Sequence, residues 1–184
     1  MSEVVVVEYG AGNTRSVRAA LAALGRRSVV SDDPALIASA EFVVLPGVGA
    51  ARRAMEHLGR TGADHALRER VRQGQSLLGI CLGMQLALEH SEEDGGVDGL
   101  GLIAGEVRRL DEGRVPRLGW SVVEPWGEAF YFAHSYAAYT AASVAEADGV
   151  CAAVAQGSFT GVQFHPEKSG PAGLAWLEQC LSRV

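Results

Sequence analysis

A run of four valines, Val4–Val7, constrains the fold more than any other feature of this 184-residue sequence. β-Branched residues favour strands, and a strand without a polar face is buried on both sides, as in parallel sheets. The next segment, Asn13–Leu24, places Val17, Leu21 and Leu24 on one face at helical spacing. The start of the chain therefore predicts a strand followed by a helix, the first part of a βαβ unit.

The same alternation continues through the first half of the chain. Further strands are predicted at Ser28–Ser31, Glu41–Leu45 and Ser76–Ile80. Helices are predicted after Asp33 and Pro34, which suit the N-cap and first helical positions, over Ala50–Leu58 and Ala63–Gln73, and from Leu82 to Leu88. Strands that alternate with helices form a parallel sheet. We therefore predict an α/β fold of flavodoxin-like type, with a mixed, mainly parallel open sheet flanked by helices.

The second half of the chain has a different pattern, in which strands are joined by short loops. These strands are predicted at Gly101–Leu110, Trp120–Glu124, Ala129–His134, Val150–Gln156 and Phe159–Phe164, before a closing helix at Ala172–Leu181. Short connections favour antiparallel pairing, so we expect these strands at one edge of the sheet. No repeat or linker divides the sequence, and residues 1–184 are predicted to form a single domain.

Composition excludes several classes of function. A net charge of −6 argues against a nucleic-acid surface, and no apolar run reaches the roughly 18 residues of a membrane span. The start of the chain lacks the basic region of a signal peptide. Cys81, Cys151 and Cys180 are odd in number and widely separated, which argues against a disulfide framework or a zinc site. We expect a cytoplasmic protein.

The segment Gly79-Ile80-Cys81-Leu82-Gly83 joins a predicted strand directly to a predicted helix. This is the arrangement of a nucleophile elbow, with cysteine in the place of serine. Bulky residues two positions before and after the nucleophile would collide in so tight a turn, and glycines remove that crowding. The start of the helix favours a thiolate. The alternative is a small buried cysteine without a chemical role.

A cysteine nucleophile needs a base, and the base needs a group that orients it. His165 and Glu167 are two residues apart, so in extended backbone their side chains point to the same side. Pro166 between them restricts the backbone. The carboxylate would then fix the imidazole tautomer and stabilise imidazolium. The alternative is a histidine at a strand end with an unrelated surface glutamate.

Pro46-Gly47-Val48-Gly49 follows a predicted strand. Glycine-rich backbone at a strand's carboxyl end can direct N–H groups at a developing oxyanion, and one such donor contributes about 3–4 kcal/mol. An ordinary strand-to-helix turn remains the alternative. The absence of a Gly-x-x-x-x-Gly-Lys pattern argues against a phosphate-binding loop.

These motifs resemble those of a known superfamily. Pro46-Gly47-Val48-Gly49, Gly79–Gln85 and Gln163–Ser169 resemble the class I (triad) glutamine amidotransferases. The segments Tyr9–Asn13, Pro116–Trp120 and Tyr131–Tyr136 narrow the resemblance to one family, the glutaminase subunits of imidazole glycerol phosphate synthase in histidine biosynthesis. The resemblance extends from end to end of the chain. Glu8 departs from the usual Asp, Ser121 from the usual Asn, and the stretch Ser121–Phe130 is short, while the triad positions are complete.

The resemblance implies a role for each residue that matches its motifs. It implies a triad of Cys81, His165 and Glu167; an oxyanion hole from the N–H of Leu82 and one of the Val48–Gly49 segment; substrate contacts from Gln85, Glu93 and the backbone of Ser135 and Tyr136; and a partner interface with Asn13, Trp120 and Lys168.

The resemblance also implies the reaction and the partner. L-Glutamine would be hydrolysed through a cysteine thioester, without a metal or organic cofactor, and the ammonia would pass to a cyclase subunit, a (β/α)8 barrel, in a heterodimer. Three alternatives remain at this point: another glutaminase of the superfamily, such as the anthranilate synthase or carbamoyl phosphate synthase subunit; a non-catalytic module on the same fold; and a stand-alone thiol hydrolase. Met84 and Pro-Gly-Val-Gly argue against the first.

The remaining polar residues are interpreted as solvated. Arg68, Arg70 and Arg72 are spaced like the polar surface of one helix. His57, His65 and His90 lie among charged residues, whereas Cys151 and Cys180 are expected in the core.

Overall fold

Strands and helices alternate through the first half of the chain, as the apolar runs predict. The computed structural model describes residues 3–10, 13–111 and 113–182. Its strands, in chain order, are β1 (Glu3–Val7), β2 (Arg27–Ser31), β3 (Phe42–Leu45), β4 (Leu77–Ile80), β5 (Leu88–Ser91), β6 (Val97–Asp98), β7 (Ile103–Arg109), β8 (Arg117–Val123), β9 (Glu128–His134), β10 (Tyr136–Tyr139), β11 (Ser143–Ala147), β12 (Val150–Gln156) and β13 (Phe159–Val162). Its helices are α1 (Thr14–Ala23), α2 (Pro34–Ser39), α3 (Ala51–Thr61), α4 (Ala63–Arg72), α5 (Leu82–Gln85) and α6 (Gly170–Leu181), with 3₁₀ turns at Glu93–Gly95 and Pro166–Lys168.

Seven of the described strands form a central sheet in the order β11-β12-β13-β4-β3-β1-β2. The strands from β13 to β2 are parallel, whereas β12 is antiparallel to both of its neighbours. The predicted mixed, mainly parallel α/β sheet with antiparallel edge strands is therefore confirmed. Because parallel strands end at the same edge, β1, β3, β4 and β13 bring the segments that follow them together.

The valine run is buried on both faces of this sheet, as its composition predicts. Val4 and Val6 pack into the core layer on one side, and Val5 and Val7 into the layer on the other side. Burying a valine side chain contributes about 1.5–3 kcal/mol, so this strand stabilises both layers.

The strands of the second half were expected to pair antiparallel at one edge of the central sheet. This expectation is correct for β12 and wrong for other strands. β7 belongs to a separate four-stranded sheet in the order β10-β7-β5-β6, and β8 pairs with β9 in a two-stranded hairpin. The strand at β13 pairs in parallel with β4. For β7, the difference is linked to α5, which ends at Gln85 instead of Leu88; Leu88–Ser91 forms β5 and pairs with β7. A short apolar run is compatible with either a helix or a strand, and the tertiary partner decides.

The β8–β9 hairpin is held above the central sheet by aromatic packing. Phe130 of β9 stacks on Phe164 with ring centroids 4.1 Å apart, and Trp176 of α6 meets Phe164 edge to face at 5.5 Å. Leu177 and Leu181 of α6 are buried and Leu174 is half-buried, as the helical spacing predicts. Among the described helices, none is long and apolar enough to cross a membrane.

The prediction of a solvated arginine face is wrong for Arg70, which is 1% exposed. Its guanidinium donates to the carbonyl oxygens of Ile37 (3.0 Å), Ala40 (2.7 Å), Glu41 (2.9 Å) and Ser76 (2.8 Å). Burial lowers the pKa of Arg70 to about 10. Five fixed N–H donors satisfy the end of α2 and the turns into β3 and β4, a role that helical spacing does not indicate.

Candidate active site

The cysteine elbow has the strained geometry that its glycines suggest. Cys81 joins β4 to α5 with φ 50° and ψ −108°, a region that non-glycine residues rarely occupy outside functional sites. A Cβ on Gly79 would lie 2.7 Å from the carbonyl oxygen of Gly83, and a Cβ on Gly83 would lie 2.0 Å from that of Leu45. Both positions therefore require glycine for reasons of space.

The helix that follows the elbow contributes less than the sequence suggests. α5 has four residues, so few peptide dipoles align behind Cys81. The N–H of Leu82, as the first residue of the helix, still has no partner within it. Stabilisation of a Cys81 thiolate must therefore come largely from neighbouring side chains.

His165 and Glu167 form a buried pair. His165 Nδ1 lies 2.9 Å from Glu167 Oε1, and the two side chains are 2% and 1% exposed. Since the carboxylate accepts, Nδ1 carries the proton and Nε2 is left for Cys81. Asn13 Nδ2 donates to the same Glu167 oxygen at 2.9 Å, which holds the carboxylate in place.

The charge on His165 follows from its neighbours. Burial, the largest single influence, lowers the pKa of His165, but the contacts with Cys81 and Glu167 together outweigh it and raise the pKa to about 9. The imidazolium form therefore persists at neutral pH. A cysteine beside a histidine that a buried carboxylate orients is the arrangement of a nucleophile with its base.

The Pro46–Gly49 segment lies directly against the elbow. A Cβ on Gly47 would be 1.7 Å from the carbonyl oxygen of Ile80 and 2.5 Å from the nitrogen of Leu82, so the two backbones are in contact. The buried hydroxyl of Tyr9, at the end of β1, donates to the carbonyl oxygen of Pro46. The end of β1 thus anchors the segment predicted to complete the oxyanion hole, a contact that the sequence does not indicate.

A cleft of about 270 Å³ opens beside Cys81. All the residues predicted to bind the substrate or its oxyanion line this cleft: Val48, Gly49, Leu82, Gln85, Glu93, Ser135 and Tyr136. Gly47, Pro116, Leu118, Ala133 and His134 complete the lining. His165 and Glu167 are not part of this lining, and the contact of His165 with the cleft is its side-chain hydrogen bond with Cys81. The structure therefore brings residues from both halves of the sequence around one cysteine.

Hydrogen bonds to the backbone fix two polar side chains of this cleft, the amide of Gln85 and the carboxylate of Glu93. Gln85 Nε2 donates to the carbonyl oxygen of Tyr136 at 2.9 Å, which leaves its Oε1 as the group available to a ligand. Glu93 accepts from the N–H of Ala51, at the start of α3, at 3.2 Å. Burial raises the pKa of Glu93. Both side chains offer oxygen acceptors, which suit an ammonium group.

His134 is a site residue that the sequence analysis does not identify. Its Nδ1 lies 2.8 Å from the carbonyl oxygen of Tyr136 and must donate to it, which fixes the tautomer. Burial lowers the pKa of His134 to about 4, so the ring is neutral at physiological pH. Its place in the Tyr131–Tyr136 motif, two residues before Tyr136, is the sequence signal for this role.

Gln163 is a second residue that the sequence analysis does not single out. It is 0% exposed, and its Nε2 lies 3.5 Å from Cys81 Sγ. The spacing argument that pairs His165 with Glu167 extends to Gln163, two residues earlier, so the signal was present.

The three residues predicted at the partner interface have different surroundings. Trp120 is 57% exposed, and with Leu118 (61%) and Val122 (47%) it forms an apolar outer face on β8. Lys168, the single lysine of the chain, is exposed next to Glu167. Asn13 is half-buried, and its amide donates to Glu167. Of the Tyr9–Asn13 motif, Ala11 and Gly12 lie outside the described residues.

Fold and site together are typical of one class of protein, the class-I glutamine amidotransferases. The family model described as glutamine amidotransferase class-I matches residues 5–184. A crystal structure of a glutamine amidotransferase shares the fold with a TM-score of 0.81 at 21% identity, over 98% of this chain and 99% of that one. PurLQS from Thermotoga maritima gives 0.73 at 20% identity, over 100% and 99%. At these identities the likeness concerns the fold alone.

Curated relatives specify the family further. The imidazole glycerol phosphate synthase subunit HisH of Symbiobacterium thermophilum is 43% identical over 96% of this chain and 92% of its own length. The HisH subunit of Chlorobium luteolum is 44% identical, over 95% and 96%. The chain therefore belongs to the class-I glutamine amidotransferase family and, within it, to the HisH subunits of imidazole glycerol phosphate synthase. The resemblance carried by its motifs is confirmed.

Proposed function

We propose that this chain hydrolyses L-glutamine to glutamate and ammonia and supplies the ammonia to a cyclase subunit in histidine biosynthesis. The observation that carries the proposal is a strained cysteine elbow in a cleft, with its sulfur beside a buried histidine–carboxylate pair whose Nδ1 and Oε1 are 2.9 Å apart. Family membership supports the substrate and the pathway. A non-catalytic module would have no need of a strained cysteine beside a protonated histidine.

In the first half of the reaction the Cys81 thiolate attacks the carboxamide carbon of glutamine. The oxyanion that forms is stabilised by the N–H of Leu82 and by a backbone N–H of the Val48–Gly49 segment. His165 donates its proton to the amide nitrogen, the C–N bond breaks, and ammonia leaves a γ-glutamyl thioester on Cys81.

In the second half His165, now neutral, accepts a proton from water as the water oxygen attacks the thioester carbon. The C–S bond breaks, glutamate leaves, and the thiolate and imidazolium are restored. Glu167 orients His165 through both steps, and Asn13 holds Glu167 by its hydrogen bond of 2.9 Å.

Substrate binding is assigned to the other residues of the cleft. Gln85 Oε1 and the Glu93 carboxylate accept from the α-ammonium group of glutamine. Backbone groups of Ser135 and Tyr136 meet the α-carboxylate. The position of all four residues around a cleft beside Cys81 supports this assignment.

The partner is a cyclase subunit, a (β/α)8 barrel, in a heterodimer. There the ammonia cleaves a phosphoribulosyl-formimino intermediate and gives imidazole glycerol phosphate and an aminoimidazole carboxamide ribotide. The exposed face of Leu118, Trp120 and Val122 supports an interface beside the cleft, because exposed apolar patches mark interaction surfaces. We further propose a single domain over residues 1–184, supported by core layers that join both halves of the chain, and a cytoplasmic location, supported by the unoxidised buried thiols of Cys81 and Cys151.

The test is Cys81→Ala in the assembled complex. We expect glutamine-dependent turnover to fall by at least about 10³-fold, because the nucleophile is lost, while turnover with added ammonium stays at the wild-type rate. Cys151→Ala, which removes another buried thiol, is the matched control and should retain both activities. Full glutamine-dependent turnover by the Cys81 variant would exclude this mechanism.

A further inference from the structure

The amide of Gln163 lies between Gln85 and the reactive sulfur. Gln85 Nε2 donates to Gln163 Oε1 at 2.9 Å, and Gln163 Nε2 lies 3.5 Å from Cys81 Sγ. The side chain of Gln163 is fully buried, so water does not compete for either contact. A continuous line of hydrogen bonds thus joins the backbone of Tyr136 to the sulfur.

The carbonyl oxygen of Tyr136 fixes which group donates and which accepts in each of these hydrogen bonds. The carbonyl oxygen of Tyr136 can only accept, so the atom of Gln85 at 2.9 Å from it must be the NH₂ nitrogen. The same nitrogen donates its second proton to Gln163, which must therefore present its oxygen to Gln85. The NH₂ group of Gln163 is left facing Cys81. The carbonyl oxygen of Tyr136 therefore determines, through Gln85, which end of the Gln163 amide faces the sulfur.

A donor at this position distinguishes thiolate from thiol. A neutral sulfur is a weak acceptor, whereas a thiolate receives a charge-assisted hydrogen bond of roughly twice the strength. The short α5 adds little dipole, so the side-chain donors around the sulfur carry more of the stabilisation. The same donor assists the second half of the reaction, when the C–S bond breaks and its electron pair returns to sulfur.

We propose that Gln163 is a catalytic residue that donates a hydrogen bond to the Cys81 thiolate, and that Tyr136 and Gln85 fix the direction of that donor. The inference rests on the proposed role of Cys81 as nucleophile. It adds a member to the site that acts on the sulfur itself, separately from His165, and it gives Gln85 a second task besides its contact with the substrate.

The test is the pH profile of Cys81 alkylation by iodoacetamide in the full chain, with the Cys81 peptide resolved by mass spectrometry. Gln163→Met keeps an unbranched side chain of similar volume and removes the donor. We expect the pH of half-maximal alkylation rate to rise by about one unit, because hydrogen bonds to charged groups contribute that much or more. An unchanged midpoint would overturn the inference.

Two further variants guard against an effect of folding alone. Gln85→Met leaves the Gln163 amide free to turn, so we expect a smaller shift in the same direction. Leu177→Ala removes apolar packing from the core layer that contains Cys81, and it should leave the midpoint unchanged. A shift in the Leu177 variant as large as that of Gln163→Met would overturn the inference, since packing would then explain both.

Failure of the proposed function is recognised separately. If Cys81 is not the nucleophile, Cys81→Ala retains glutamine-dependent turnover whatever the alkylation profiles show. If Cys81 is the nucleophile and Gln163 does not act on it, Cys81→Ala is inactive while Gln163→Met keeps the wild-type alkylation midpoint and the wild-type kcat. If the inference holds, kcat of Gln163→Met falls roughly tenfold with little change in KM.

Discussion

The catalytic edge of the central sheet and the β8–β9 hairpin contribute to the same cleft in opposite ways. Cys81 and His165 follow β4 and β13, strands that are buried almost completely on both faces. The hairpin buries Phe130 and Phe132 on its inner face and exposes an outer face with Trp120 at its centre. One region is rigid and fully packed, and the other is packed on a single side.

This difference separates two requirements of the site. A residue held at φ 50°, as Cys81 is, persists only where the surrounding packing leaves the backbone no alternative. A surface that is to receive another protein must instead leave apolar side chains in solvent until the partner covers them. We expect substitutions at the catalytic edge to damage folding and chemistry, and substitutions on the outer face of the hairpin to damage assembly.

The largest effect is expected for Gly83→Ala. Its new methyl group would lie 2.0 Å from the carbonyl oxygen of Leu45, and neither backbone segment can move without disturbing β3 or β4. We expect the free energy of unfolding to fall by about 4 kcal/mol or more, as measured by denaturant titration.

Gly59→Ala is the control for this prediction. Gly59 lies in α3 with no atom within 4 Å of a new Cβ, so the methyl group meets open space. Alanine in a helix interior is favoured over glycine, and we expect stabilisation by about 0.5–1 kcal/mol. Equal losses in the two variants would contradict the contrast between a packed edge and a tolerant surface.

A smaller effect, on assembly, is expected for Trp120→Ala. Trp120 is exposed and contacts Tyr131 edge to face at 6.1 Å, so its removal should lower the stability of the isolated chain by no more than about 1 kcal/mol. Binding of the cyclase subunit, measured by calorimetry, should weaken by about 10–100-fold, as expected for a buried aromatic residue at an interface.

Leu36→Ala provides the comparison for Trp120. Leu36 is an exposed apolar residue of α2 and does not line the cleft. Its replacement by alanine should leave the affinity for the cyclase subunit unchanged.

The single lysine, Lys168, gives a second measurement. An amine-specific reagent should modify Lys168 in the free chain and should not reach it in the complex with the cyclase subunit. Equal labelling of Lys168 in both would argue against an interface around this residue.

The smallest difference in the series is a shift of pH dependence in Glu167→Gln, which accompanies the loss of turnover expected when the group that orients His165 is removed. Contacts with Cys81 and Glu167 raise the pKa of His165 to about 9 against the effect of burial, so the wild-type acid remains protonated up to about that pH. The loss of kcat/KM at alkaline pH, which reports groups of the free enzyme, should therefore begin near pH 9. Without the carboxylate charge, burial lowers the pKa of His165, and we expect this limb to move down by about one unit or more.

Glu178→Gln on α6 is the matched control, because it removes the same charge from an exposed position. Its alkaline limb should coincide with that of the wild type. If the limb of Glu167→Gln also stayed in place, the carboxylate would not be what retains the proton on His165.

Much of this molecule follows from local pattern. The buried valine run, the α/β alternation and the glycines on either side of Cys81 are short-range features, and each has the structure that its pattern predicts. Where a local pattern allowed two structures, the prediction was wrong: Leu88, predicted as the end of a helix, begins β5, which pairs with β7. Arg70 has the spacing of a surface residue, yet it is buried because its guanidinium donates to four carbonyl oxygens inside the fold.

The sequence by itself determined the class of fold and the nucleophile, because strand burial and glycine spacing act within a few residues. It also identified the histidine–glutamate pair, although the extended backbone predicted for the pair was wrong, since Glu167 lies in the 3₁₀ turn Pro166–Lys168. Only the tertiary structure decided which groups meet the sulfur and the oxyanion segment. Gln163 reaches Cys81 across 82 positions of sequence, and Tyr9 reaches Pro46 across 37. Such contacts depend on which strands are neighbours in the sheet, and that order is set by the packing of the whole chain.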